Sequence, residues 1–159
     1  MLYTLVLTIH NLVRWLVVVS AGVAIYRAFS GWLSKKPWVK GDERSGILYS
    51  SLMDFEVLIG VILYLFLSPL TSVGLKDFTT AMSSPVVRFF ALVHVILMVL
   101  AMVSVHLARS FSKKTASDLA KHRIAAIGFA GSFVLLLAGI PWPFFEVGRP
   151  LLRLFGFIL

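Results

Sequence analysis

His10, His94, His106 and His122 are the residues of this chain best suited to chemistry. Each lies within or at the edge of an apolar stretch, where an ionisable side chain is costly and marks a site. Counted along helices at about 1.5 Å per residue, His10 and His94 share one depth, and His106 and His122 share another. Two neutral imidazoles at one depth, from different helices, are what bis-histidine ligation of a b-type haem requires. The first pair predicts one haem and the second pair another, stacked across a bilayer. His94 and His106 are 12 residues apart, which on one helix separates them by about 18 Å and about 120°. A single haem therefore cannot use both. The competing reading differs between pairs. His106 and His122 also suit a basic interfacial loop, since His122 sits between Lys121 and Arg123, whereas His10 and His94 are deeper and need a buried partner.

Charged neighbours sharpen the first pair. Arg14 follows His10 by one helical turn, on the same face. A guanidinium at that depth needs an anionic partner. Two remain open, a haem propionate or a carboxylate of the next helix, where Asp54 and Glu56 lie at matching depth. Those two point about 200° apart, so only one faces the bundle centre. Arg88, at the mouth of the third helix, is the better propionate partner. Asp54 or Glu56 is also the candidate for proton movement at a quinone site. Met98 and Met102 are possible axial ligands in principle, but Met more often fills gaps in packing.

The elements holding these residues are four apolar runs, residues 2–28, 47–68, 89–108 and 123–140. Each is long enough to cross a hydrocarbon core of about 30 Å. Hydrophobic residues form 59% of the 159-residue chain and the mean hydropathy is +0.94, which excludes an ordinary soluble domain. The whole chain reads as one all-α membrane domain, an up-down-up-down bundle of four transmembrane helices. The N-terminal run lacks a basic leader region and is read as the first span, not a cleaved signal. After Pro141 and Pro143, residues 148–159 carry Arg149 and Arg153 among Leu and Phe, which predicts a short amphipathic helix at the interface.

Ten basic residues flank the first and third connections, against four in the second connection and the tail. By the positive-inside rule both termini face outward in a bacterial inner membrane, with lipid contacts on all sides. The net charge of +8 is thereby explained without nucleic acid. The absence of cysteine excludes disulfides, iron–sulfur clusters and covalent c-type haem attachment.

The opening LTIHNLVRWLVVVSAGVAIYRAF resembles small bacterial four-span membrane proteins labelled cytochrome b-like, through His10, Arg14 and Trp15. A histidine-bearing third span and a basic last loop with another histidine extend the resemblance over nearly the whole chain. It implies membrane haem and electron transfer without fixing a substrate. An electron carrier or redox-complex subunit, working with a quinone, other membrane redox subunits or as a homo-oligomer, is favoured over a stand-alone enzyme. Using three helices for its histidines departs from the usual diheme arrangement of two per helix, and this weakens the second pair. The rival function is a cofactor-free accessory or structural subunit of a larger membrane complex.

Overall fold

The structure, a computed structural model, describes residues 1–154 and 157–158. Four helices are long and apolar enough to span a membrane: Leu2–Leu33, Lys40–Leu67, Pro85–Lys114 and Asp118–Gly139, here spans one to four. The chain is an all-helical, multi-pass membrane protein on this evidence. Span one is α1 (Leu2–Leu33). Span two is α2 (Lys40–Ile62) continued by a π-helical turn, Leu63–Leu67. The connection to span three is not a plain loop, because α3 (Pro69–Lys76) and α4 (Phe78–Ser83) fill it. Span three runs through α5 (Pro85–Arg88), a second π turn (Phe89–Val93) and α6 (His94–Lys114), and span four is α7 (Asp118–Gly139).

Helix ends follow from local chemistry. Ser68, Ser84 and Ser117 cap α3, α5 and α7 by accepting from the backbone N–H three residues on, and Asp77 does the same for α4. Pro69 and Pro85 occupy first-turn positions, where a missing N–H costs nothing. Asp42 reaches back to the Val39 N–H at 3.0 Å and fixes the start of α2. Span one ends at Lys35, whose φ of 52° allows the Lys36 N–H to reach the Gly31 carbonyl at 3.0 Å, the six-to-one bond of a Schellman turn.

Span one packs on spans two and four, and span three does the same. Small side chains make the approach close, as is usual in membranes. Val13, Val17, Ala21, Ala24 and Ala28 form the buried stripe of span one, and they meet Ala125, Ala126 and Phe129 of span four in the same core. Any Cβ at Gly128 would collide with Ala108, so spans three and four are in backbone-to-side-chain contact there. One buried polar chain crosses the core: the Tyr49 hydroxyl meets Ser132 Oγ at 2.7 Å, and Ser132 donates to the Ala101 carbonyl at 2.7 Å. The outside is apolar, with Leu16, Val19, Leu58, Leu100 and Val134 exposed as suits lipid.

The expected helix over 148–159 does not form among the described residues. The Arg149 N–H bonds back to the Pro141 carbonyl at 2.9 Å, and Arg153–Leu154 pairs antiparallel with Phe157–Ile158. Pro150 explains the break: it lacks an N–H and disfavours a helical Arg149 before it. The parts of that expectation at Phe155, Gly156 and Leu159 lie outside the described residues.

Candidate functional site

At the end of the bundle that carries the N-terminus, the four spans enclose a cavity of about 190 Å³. Span one contributes His10, Asn11 and Arg14, span two Glu56, Gly60 and Tyr64, and span three Phe90, His94 and Met98. Leu136 and Ile140 of span four, with Arg149 from the chain beyond it, complete the wall. Most of the lining is apolar, and a few polar groups converge on one region, the usual build of a small-molecule site. Val61 and Val99 line it and are themselves exposed, so the cavity reaches the surface between spans two and three.

The two π turns position this site. In the first, the Ser68 N–H reaches five residues back to the Leu63 carbonyl at 2.8 Å. In the second, the His94 N–H reaches the Phe89 carbonyl, so the wide turn sets the direction in which His94 leaves span three. Tyr64 ties the two together by donating to the Ala91 carbonyl at 2.9 Å, while Thr71 donates to the Tyr64 carbonyl at 2.7 Å. Single π turns inside α-helices are frequent at functional sites.

His10 and His94 come together, with ring centres 6.4 Å apart and planes inclined at 78°. An imidazole nitrogen binds a transition metal at about 2.0 Å, so rings on opposite faces of one iron have centres roughly 6 Å apart. His94 Nδ1 lies 2.7 Å from the Gly139 carbonyl, and His10 Nδ1 lies 3.2 Å from Glu56 Oε1. His94 Nδ1 is thus hydrogen-bonded to a carbonyl, whereas His10 Nδ1 lies near Glu56 without a hydrogen bond among the described residues. Holding one ring nitrogen with a carbonyl or carboxylate is how proteins orient a metal-binding imidazole. The observed separation of the ring centres is close to that spacing across one iron. Among the described residues no three His, Asp or Glu side chains converge as they would for a bare metal ion. A porphyrin, which brings four nitrogens of its own, asks for only two.

The charged neighbours divide differently from the sequence expectation. Glu56, not Asp54, faces the cavity. It is buried beside His10, and its Oε2 has no hydrogen-bond partner among the described residues. Arg14 is not held by a carboxylate: its Nη2 donates to the Leu151 carbonyl at 2.7 Å, which Trp15 Nε1 also reaches at 2.9 Å. A main-chain oxygen from the segment after span four supplies the partner that a span-two carboxylate was expected to give. Arg88 is likewise diverted, its Nη1 donating to the Met82 carbonyl at 3.1 Å, outside the cavity wall. Arg149 stands there instead, with its guanidinium carbon 5.0 Å from the Phe90 ring centre. Met98 lines the cavity, and Met102 packs against the core.

His106 and His122 are not brought together. His106 Nε2 meets Asp54 Oδ1 at 2.7 Å on the bundle surface, with the two side chains 44% and 48% exposed. His122 is buried at 1% exposure near Asp42, its ring centre 4.8 Å from that of Trp38. Each inner-pair histidine thus lies against a different acid of span two.

Gly60, Tyr64 and Arg149 escaped sequence reasoning. The first two were within reach of it, since Glu56, Gly60 and Tyr64 recur every fourth residue on one face of span two. Arg149 was not, because it arrives only when the chain folds back past Pro141. The chain matches no protein-family model, no curated protein and no solved structure, and its own geometry is what speaks for its function.

Proposed function

We propose that this protein is a membrane electron carrier that binds one b-type haem between His10 and His94. The observation that carries this reading is the pair of imidazoles with ring centres 6.4 Å apart in one cavity, His94 anchored through Nδ1 on the Gly139 carbonyl and His10 with a buried, unpartnered Nδ1 beside Glu56. Bound there, the haem supplies a one-electron couple. The chain's own residues do the rest. Gly139 and Glu56 orient the two rings, and Gly60 leaves open the space beside His10, where a Cβ would stand 3.4 Å from the ring. Arg14 and Arg149 line the same cavity and are suited to the propionates by charge and by the forked guanidinium. The apolar walls keep water from the couple. Glu56 is the group suited to move a proton if the partner is a quinone, and Asp54, on the far side of span two, is not.

In this reading the four spans form an up-down-up-down bundle in a bacterial inner membrane with both termini outside, so the haem lies toward the outer leaflet. The ten-to-four division of basic residues supports that orientation. A single haem is proposed, because His106 and His122 do not meet: His106 bonds Asp54 on the surface and His122 is buried beside Trp38.

The test is an optical spectrum of protein purified after expression with ample haem. Wild type should give the sharp reduced α-band of low-spin bis-histidine haem, and His10→Ala and His94→Ala should each abolish it. A colourless wild-type protein would favour the cofactor-free subunit instead.

A further inference from the structure

A second cavity, of about 290 Å³, opens at the opposite end of the bundle, between the end of span one, the start of span two and His122 of span four. Much of its wall is apolar, and the polar groups in it include Arg27, Lys36 and His122. His122 is 1% exposed and neither ring nitrogen has a hydrogen-bond partner among the described residues; Nε2 stops 4.0 Å short of Asp42 Oδ2. Arg27 lines the cavity too, and its buried Nε is equally without a partner there. Lys36 adds an ammonium, tethered to Ser30 Oγ at 3.0 Å.

The one acid in the wall, Asp42, is already engaged. Its Oδ1 takes Arg27 Nη2 at 2.8 Å and its Oδ2 takes the Val39 N–H at 3.0 Å. What the cavity offers is therefore hydrogen-bond donors and positive charge, with the carboxylate acting as a brace for Arg27. Buried donors without acceptors are costly, and Arg27 Nε and the N–H of His122 both lack one, so the site suits a group rich in acceptors. Gly31 shows how deliberately the ring is admitted, since any Cβ there would collide with His122.

We propose that the Arg27–Lys36–His122 cavity binds a phosphate group. Phosphate is compact, anionic and rich in acceptor oxygens, and Arg and Lys recognise it by fork and by point charge. The level of the site matches a lipid headgroup, because it sits at helix ends beside Trp32 and Trp38, and indoles favour the membrane interface. Basic pockets between spans at that level take anionic headgroups. Soluble phosphate offers the same chemistry, and the experiment separates the two sources.

Purified protein in neutral detergent is titrated with dioleoyl-phosphatidylglycerol, using dioleoyl-phosphatidylcholine as control, and bound lipid is read by native mass spectrometry. In parallel, sodium phosphate is added at constant ionic strength and thermal unfolding is followed. Lys36→Gln, on an exposed residue, should weaken the ligand about fivefold, the effect of one cation near the surface. His122→Phe keeps a ring but removes the donors and should weaken it as well. Lys114→Gln, a basic residue outside the cavity, should change nothing. Phosphatidylglycerol binding with this variant pattern identifies a lipid phosphate, and stabilisation by sodium phosphate with the same pattern identifies a soluble one. If neither titrant depends on Lys36, or if Lys114→Gln weakens binding equally, the proposal is wrong and any attraction is diffuse. Should His122→Phe fail to fold, the comparison of Lys36→Gln with Lys114→Gln still decides.

Discussion

The two ends of this bundle each place a histidine beside an acid of span two, yet the two acids are differently engaged. At the N-terminal end, the Gly139 carbonyl holds His94 Nδ1, while Glu56 lies 3.2 Å from a His10 Nδ1 that has no hydrogen bond among the described residues. At the other end, Asp42 engages Arg27 and a backbone N–H, leaving His122 among cations. A histidine near a carboxylate is thus no signature by itself. What the acid is already doing differs between the ends: Asp42 takes Arg27 and the Val39 N–H, whereas Glu56 Oε2 has no hydrogen-bond partner among the described residues.

The largest effect that separates the ends is loss of pigment. His10→Ala should leave the purified protein without bound haem, whereas His122→Ala and Lys36→Gln should leave haem content unchanged, as read by the pyridine haemochrome assay. Equal loss from both ends would erase the contrast. The next effect is structural. Gly128→Val would force spans three and four apart at Ala108 and should cost about 1–3 kcal/mol, the usual range for overpacking. A melting temperature in detergent that did not fall would show that the close contact is dispensable.

Arg14→Met should follow, removing a charge-assisted bond to Leu151 worth about 1.5–3 kcal/mol. Because the same carbonyl also serves Trp15, the loss should come with faster proteolysis after Pro150. A smaller effect concerns Lys35, which holds a left-handed backbone at a cost of roughly 1 kcal/mol to any side-chain-bearing residue. Lys35→Gly should leave stability unchanged or raise it slightly, while Lys35→Val should lower it. The smallest lies outside the spans. Thr80 holds the exposed Asp77 carboxyl below the usual carboxylate range through its hydroxyl and N–H. Capping by Asp77 is thus complete above the ordinary Asp range and is lost as pH falls through the lowered value, so hydrogen exchange in α4 should speed up only in strong acid.

The spans were legible in the sequence because hydrocarbon thickness imposes a minimum apolar length; span three overruns its apolar run at both ends, and the other spans overrun theirs at one end only. The meeting of His10 and His94 was legible for a related reason. Depth follows from counting residues along a helix, and two spans running the same way keep matched residues level. Azimuth is another matter. Counting put Asp54 and Glu56 at one depth, but which of them turns inward depends on how span two seats against span one. The π turns add a residue to each helical turn near the site, and no local pattern announces them. The return of the chain from Pro141 to Arg149 and Leu151 is a long-range event. It gave Arg14 a main-chain partner and put Arg149 where Arg88 was expected. His106 and His122 share a depth, but depth alone does not bring side chains into contact.

The central claim, one haem held at one end only, is tested most directly by haem stoichiometry in the His106→Ala/His122→Ala double variant. The account predicts one haem per chain in both wild type and double variant, with the same reduced α-band. Two haems in wild type, a loss of haem in the double variant, or a wild-type protein that binds none would each contradict it.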